Sequence, residues 1–213
     1  MIVVVDGTGP AGDDAYADEM RGSFCSQIAA QPGGRYFRGP SLTGREVSRI
    51  ADKALDAALA LAGDGRPIML AGYSRGGCAV INTAVRLQAR GQRVAAMFLF
   101  DAVDMQTSEL GLTQTIPDNV AFVAHCRSAR DVGFWVRNPV RSRFYFYNTG
   151  RWLAGSGTLV EQAIVGSHGA VGGLPWSDIA GDRGCALAVA DWMTPHLRSH
   201  GVELTLRVYS DAS

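Results

Sequence analysis

Ser74 lies in the run Gly72-Tyr73-Ser74-Arg75-Gly76. Set between a strand and a helix, a G-x-S-x-G run makes a sharp turn that strains the serine and lifts its hydroxyl above a sheet. The glycines are needed because a Cβ at either position meets the crowded strand and helix. The plainer alternative is an ordinary strand-turn-helix with Ser74 as a helix cap. A serine hydroxyl is a poor nucleophile at neutral pH, so it needs a nearby base and a carboxylate that orients that base. Among the four histidines, His168 is the best base. It follows a predicted strand and sits in the glycine-rich stretch Gly166 to Gly173, which lets its ring reach across; the bland reading is an exposed loop histidine. His125, at the end of an earlier strand, is the second choice. His196 and His200 fall on or beyond the last helix and read as surface residues.

For the carboxylate, Asp101 ends the apolar run Phe98-Leu99-Phe100. A carboxylate placed there is partly buried and must be hydrogen-bonded or paired, and a histidine would satisfy it. Asp131, after the next strand, and Asp104, one turn further on and more solvated, are the alternatives, and Asp101 merely capping a turn is the bland one. A tetrahedral intermediate needs two amide donors. One is the N–H of Arg75; the other comes from Gly7 or Thr8 in the loop Asp6-Gly7-Thr8-Gly9. That loop lacks the glycine and lysine spacing of phosphate-binding loops. Asp6 reads as its anchor through side-chain hydrogen bonds.

Strands alternate with helices along the chain, which predicts a mostly parallel sheet covered on both faces. Strands are expected at Ile2 to Val5, Arg35 to Phe37, Pro67 to Ala71, Arg93 to Phe100, Asn119 to Ala124 and Thr158 to Val165, with an alternating edge strand at Val202 to Val208. Helices are expected at Asp13 to Ala30, from a Thr43/Glu46 capping box to Gly63, at Gly77 to Arg90, and from a Ser177 cap to Met193, where Pro195 kinks or ends the helix. This order matches a compact α/β-hydrolase core that begins at its third strand. Reactive groups then collect at the carboxyl ends of the strands.

The chain has 213 residues, 47% of them hydrophobic, and no formal net charge. That suits one domain over 1–213 and gives no global field to attract nucleic acid. Cys25, Cys78, Cys126 and Cys185 show no metal-cluster spacing and read as reduced thiols, with Cys25, Cys78 and Cys185, in predicted helices, as small core residues; neither a metal nor an organic cofactor is expected. No run reaches the roughly 18 apolar residues of a membrane span, and the apolar start lacks a basic leader. The expectation is a cytoplasmic chain, with signal-independent secretion left open. From Phe134 to Trp152, aromatics interleave with Arg137, Arg141, Arg143 and Arg151. Residues 127–152 therefore read either as a lid or pocket wall suited to an acyl chain with an anionic head group, or as a packed strand with solvated arginines.

Four segments together carry a family resemblance: Val4-Val5-Asp6-Gly7-Thr8, Gly72-Tyr73-Ser74-Arg75-Gly76-Gly77, Asp101-Ala102-Val103, and His168-Gly169-Ala170-Val171-Gly172-Gly173. The chain resembles the hydrolase domain of type VI secretion phospholipase effectors and their uncharacterised relatives. The resemblance implies a triad of Ser74, Asp101 and His168, and a lipid substrate met by peripheral membrane contact. Read from its residues, the chain is a serine carboxylester hydrolase that acts on a small ester or lipid. An acyltransferase or amidase with the same triad, or an inactive binding protein on this fold, is the alternative.

Overall fold

The computed structural model describes residues 1–63, 65–104, 113–130, 147–177 and 179–208. In chain order the elements are β1 (Ile2–Val5), α1 (Asp13–Glu19), α2 (Phe24–Ala29), β2 (Gly34–Phe37), α3 (Val47–Gly63), β3 (Ile68–Tyr73), α4 (Arg75–Gln88), β4 (Val94–Phe100), β5 (Val103–Asp104), β6 (Thr115–Ile116), β7 (Phe122–Arg130), β8 (Tyr147–Asn148), β9 (Trp152–Leu153), β10 (Thr158–Val165), α5 (His168–Val171) and α6 (Asp182–Ser199).

The main sheet has six strands in the order β10-β7-β4-β3-β1-β2, and every neighbouring pair is parallel. The central strands are buried on both faces, which explains why β1 and β3 are continuous apolar runs rather than alternating ones. Val3, Val5, Leu70, Met97 and Leu99 pack against α3 and α4 on one face. Ile2, Val4, Met69, Phe98 and Phe100 pack against α1, α2 and α6 on the other. This is the α/β-hydrolase architecture expected from the alternating elements. The register pairs Val5 with Gly72 and Tyr73 with Phe100. The strand ends are thus level, and the loops that follow β1, β3 and β4 open on one rim.

Several boundaries differ from those the sequence predicts. The expected helix over Asp13 to Ala30 is two helices, because Gly22 adopts a left-handed φ of 83° and Ser23 starts α2 by accepting the Ser26 N–H. The Thr43/Glu46 capping box does not form. The Glu46 carboxylate accepts instead from the Ser41 hydroxyl, and α3 begins only at Val47. Ser177 does not cap the last helix, which starts at Asp182 after Gly181. Pro195 lies inside that helix, and the buried Leu197 holds the turn beyond it against the core. Val202 to Val208 forms no strand. Its Leu206 and Arg207 amides donate to Thr194 Oγ1 and Gln27 Oε1, so the segment straps α6 to α2 instead of extending the sheet. Residues 131–146, which hold Asp131 and most of the expected lid, lie outside the described residues.

Candidate active site

The turn between β3 and α4 carries Ser74 at φ 57° and ψ −129°, a strained conformation for a residue with a Cβ. Its neighbours show why the local sequence is glycine-rich. A Cβ on Gly72 would meet the backbone of Gly76 and Gly77, and one on Gly76 would strike the carbonyls of Val5 and Asp6. On Gly77 it would press on Ala102. The Ser74 carbonyl accepts the N–H of Val103, which ties the turn to the segment after β4.

That segment holds Asp101, also at positive φ, 41°. Strand β7 supports it: the Asp101 N–H donates to the Cys126 carbonyl at 2.7 Å, and the Ser128 N–H donates to Asp101 Oδ1 at 3.2 Å. His168 opens α5, whose cap is Ser167. Its Nδ1 lies 2.7 Å from Asp101 Oδ2, and its Nε2 lies 2.8 Å from Ser74 Oγ. A carboxylate only accepts, so Nδ1 carries the proton and Nε2 is left to take the serine proton. All three side chains are buried. Sequence positions 94 and 67 residues apart thus form one hydrogen-bonded chain, serine to imidazole to carboxylate.

The other sequence candidates take different places. Asp104 is not solvated; it is fully buried, with Oδ1 at 3.4 Å from Arg75 Nε, behind the turn. His125 is buried under the Asp101 turn, where its Nε2 accepts the Ala102 N–H at 3.2 Å. His196 and His200 are not plain surface residues: their rings pack on Phe122 near the end of α6. Of the two expected loop amides, that of Gly7 donates to Asp6 Oδ1 at 2.8 Å. A Cβ on Gly7 would meet the Tyr73 ring and Ser74 Cβ, so the loop reaches the serine.

Asp6 does anchor its loop. Besides the Gly7 amide it accepts the Ser23 hydroxyl at 2.5 Å and the Tyr36 hydroxyl at 3.0 Å. Burial pushes its carboxyl up to about 6, and these three hydrogen bonds only partly offset that. The Tyr16 hydroxyl donates to the Gly7 carbonyl and accepts the Gly39 N–H, both at 2.6 Å.

Sequence reasoning missed two supports of the histidine. Asp182 is buried and accepts the Ser167 N–H, the Ser167 hydroxyl and the Trp176 N–H, at 2.8, 2.7 and 2.7 Å. Ser128, whose amide holds Asp101, also donates its hydroxyl to the Gly166 carbonyl at 3.0 Å. The one signal in the sequence was an acidic residue just after Gly181, at the start of a helix.

The parallel sheet and the serine turn at its rim define an α/β-hydrolase domain. Within that class the chain belongs to the thioesterase domain family, whose model matches residues 14–132, more than half of its length. The matched segment includes Ser74 and Asp101, while Gly7, Thr8 and His168 lie outside it. No curated protein matches the chain. Among solved structures it is similar to RedJ, the thioesterase of the prodiginine pathway of Streptomyces coelicolor, at 15% identity over 88% of this chain and 85% of that one, with a TM-score of 0.40. It is similar to the NocB thioesterase domain, in covalent complex with a fluorophosphonate nocardicin G analog, at 15% identity over 90% and 93%, TM-score 0.48. A putative α/β-superfamily hydrolase from Xanthomonas campestris is 17% identical over 91% and 98%, TM-score 0.40. Among the described residues, no helix is long and apolar enough to cross a membrane.

Proposed function

We propose that the protein is a serine hydrolase of acyl thioesters and esters. The carrying observation is the unbroken chain from Ser74 Oγ through His168 to Asp101, with links of 2.8 and 2.7 Å. Ser74 attacks the acyl carbonyl while His168 Nε2 takes its proton. Asp101 holds the imidazole and stabilises the imidazolium that forms. The Arg75 and Thr8 amides receive the oxyanion. His168 then passes that proton to the departing thiolate or alkoxide as its bond to the acyl carbon breaks, and an acyl-Ser74 remains. Water, deprotonated by the same imidazole, attacks the acyl carbonyl; the bond to Ser74 Oγ breaks, the imidazolium returns the proton to that oxygen, and the acid leaves.

Membership of the thioesterase family favours a thioester as the bond cleaved, since a thiolate leaves readily and makes little demand on the acid step. Small acyl substrates fit this reading. A lipid ester is the second reading, favoured by the likeness of the four short motifs to secretion phospholipase effectors.

The test compares S-acyl N-acetylcysteamine thioesters, p-nitrophenyl esters and phosphatidylcholine vesicles as substrates for the wild type and Ser74→Ala. The expected result is thioester turnover that Ser74→Ala abolishes with folding intact, and a fluorophosphonate adduct on Ser74 found by mass spectrometry. Retained turnover in Ser74→Ala overturns the mechanism, and preference for the vesicles moves the assignment to the second reading.

A further inference from the structure

We propose that His125 is a positioning residue that sets the acid of the site; the proposal rests on the assignment of Ser74, His168 and Asp101 above. His125 lies on β7, fully buried. Its ring bonds the peptide directly after the acid: the Ala102 N–H donates to Nε2 at 3.2 Å. An imidazole nitrogen accepts only when it carries no proton, so the proton sits on Nδ1, which faces the Gly150 carbonyl at 3.2 Å. Glu161 Oε1, held by Arg127 at 2.9 Å, stands 3.9 Å from the same Nδ1.

The reason for this device is the backbone of Asp101. A φ of 41° is uncommon for a residue with a Cβ, aspartate being one of the few that visit it, and the surroundings of Asp101 hold it there. Strand β7 fixes it three times. The Cys126 carbonyl takes the Asp101 N–H, the Ser128 N–H holds Oδ1, and His125 takes the amide on the far side of the strained residue. Without the last of these the Asp101–Ala102 peptide has a buried donor with no acceptor in place, and the turn relaxes. The carboxylate then leaves the 2.7 Å contact that orients His168. Misplacing a catalytic group by about 1 Å is enough to cost on the order of 100-fold in rate.

Two substitutions, each of which keeps one ring-nitrogen position, separate this role from general packing. In His125→Asn the amide reaches the position of Nδ1 and still faces Gly150, but nothing accepts at the position of Nε2. In His125→Gln the side-chain oxygen reaches the position of Nε2 and accepts the Ala102 N–H. Hydrolysis of p-nitrophenyl butyrate is measured for both, beside Ser74→Ala and Asp101→Asn. The expected result is a kcat about 10- to 100-fold below wild type for His125→Asn with KM unchanged, and a kcat within about threefold of wild type for His125→Gln. Equal kcat in the two variants overturns the proposal, whether both are active or both impaired, as does a loss shared between kcat and KM. Failure of both to fold overturns it too, because a residue needed by the whole fold is not one that sets the acid alone. If the underlying site assignment were at fault, Ser74→Ala and Asp101→Asn would keep their turnover. If only the role of His125 were at fault, those two would lose turnover while the Asn and Gln variants behaved alike.

Discussion

Ser74 and Asp101 both have positive φ, at 57° and 41°, and no other residue besides glycine does so among those described. The strain is confined to two of the three groups that meet at the site. Removing it should stabilise the fold while ending the chemistry. Ser74→Gly is expected to unfold at higher denaturant than Ser74→Ala, by about 1 kcal/mol, because glycine occupies that conformation freely and alanine does not. Urea unfolding of the two variants, both inactive, checks this. Asp101→Asn keeps the shape of the turn, and asparagine tolerates positive φ well. Its melting temperature should stay near that of the wild type while kcat falls about 10³- to 10⁴-fold, the scale seen when a triad carboxylate is neutralised. At this scale the sequence was largely readable. Ser74 was marked by glycines that only a tight elbow requires, and Asp101 by the apolar run before it. His125 and the Gly7 amide were not, because their roles depend on which hydrogen bond each makes across the fold.

Helix and strand ends hold the histidine in place. Asp182, the first residue of α6, gathers three donors from both sides of α5. Asp182→Ala leaves those donors buried without an acceptor, a loss of about 2 to 5 kcal/mol, with kcat falling as the histidine loop loosens. Thermal unfolding and ester turnover, measured on one preparation, should fall together. The sequence placed this helix five residues too early, at Ser177, because a serine there satisfies the usual capping pattern. The actual start follows Gly181, whose left-handed φ of 85° turns the chain into the helix. The break between α1 and α2 was missed for a related reason. Apolar spacing runs on through Gly22, and only the pull of Asp6 on Ser23, at 2.5 Å, shows why the chain turns there. The edge strand expected at the C-terminus had the right alternation, but its amides found side chains on α6 and α2 before a strand neighbour.

Across the whole molecule, Asp6 couples the site to stability. It is buried behind the loop that carries the Thr8 amide, and burial raises its carboxyl from 3.8 to about 6. A raised folded-state value means the native protein binds this proton more tightly than the unfolded chain does. The associated stability is complete below about 3.8 and is lost as pH rises through about 6. The gap corresponds to about 3 kcal/mol at most. His196 acts in the opposite sense. Burial, and then the nearby His200, lower it, so its contribution is present above its unfolded value and lost as pH falls through the folded one. A simple pH curve of the wild type mixes the two, but comparison with Asp6→Asn separates them. Asparagine resembles the protonated carboxyl: its oxygen keeps the Gly7 N–H, and its amide can donate to the Ser23 and Tyr36 hydroxyls. Urea midpoints at pH 4.5 and pH 7.5 should show the variant gaining stability relative to wild type as pH rises, by about 1 to 3 kcal/mol. Turnover of the variant at pH 7.5 should stay within about threefold of wild type, since the loop anchor survives. A stability difference that does not change with pH would mean that Asp6 ionises at the same pH in both states, and that its three hydrogen bonds fully offset its burial.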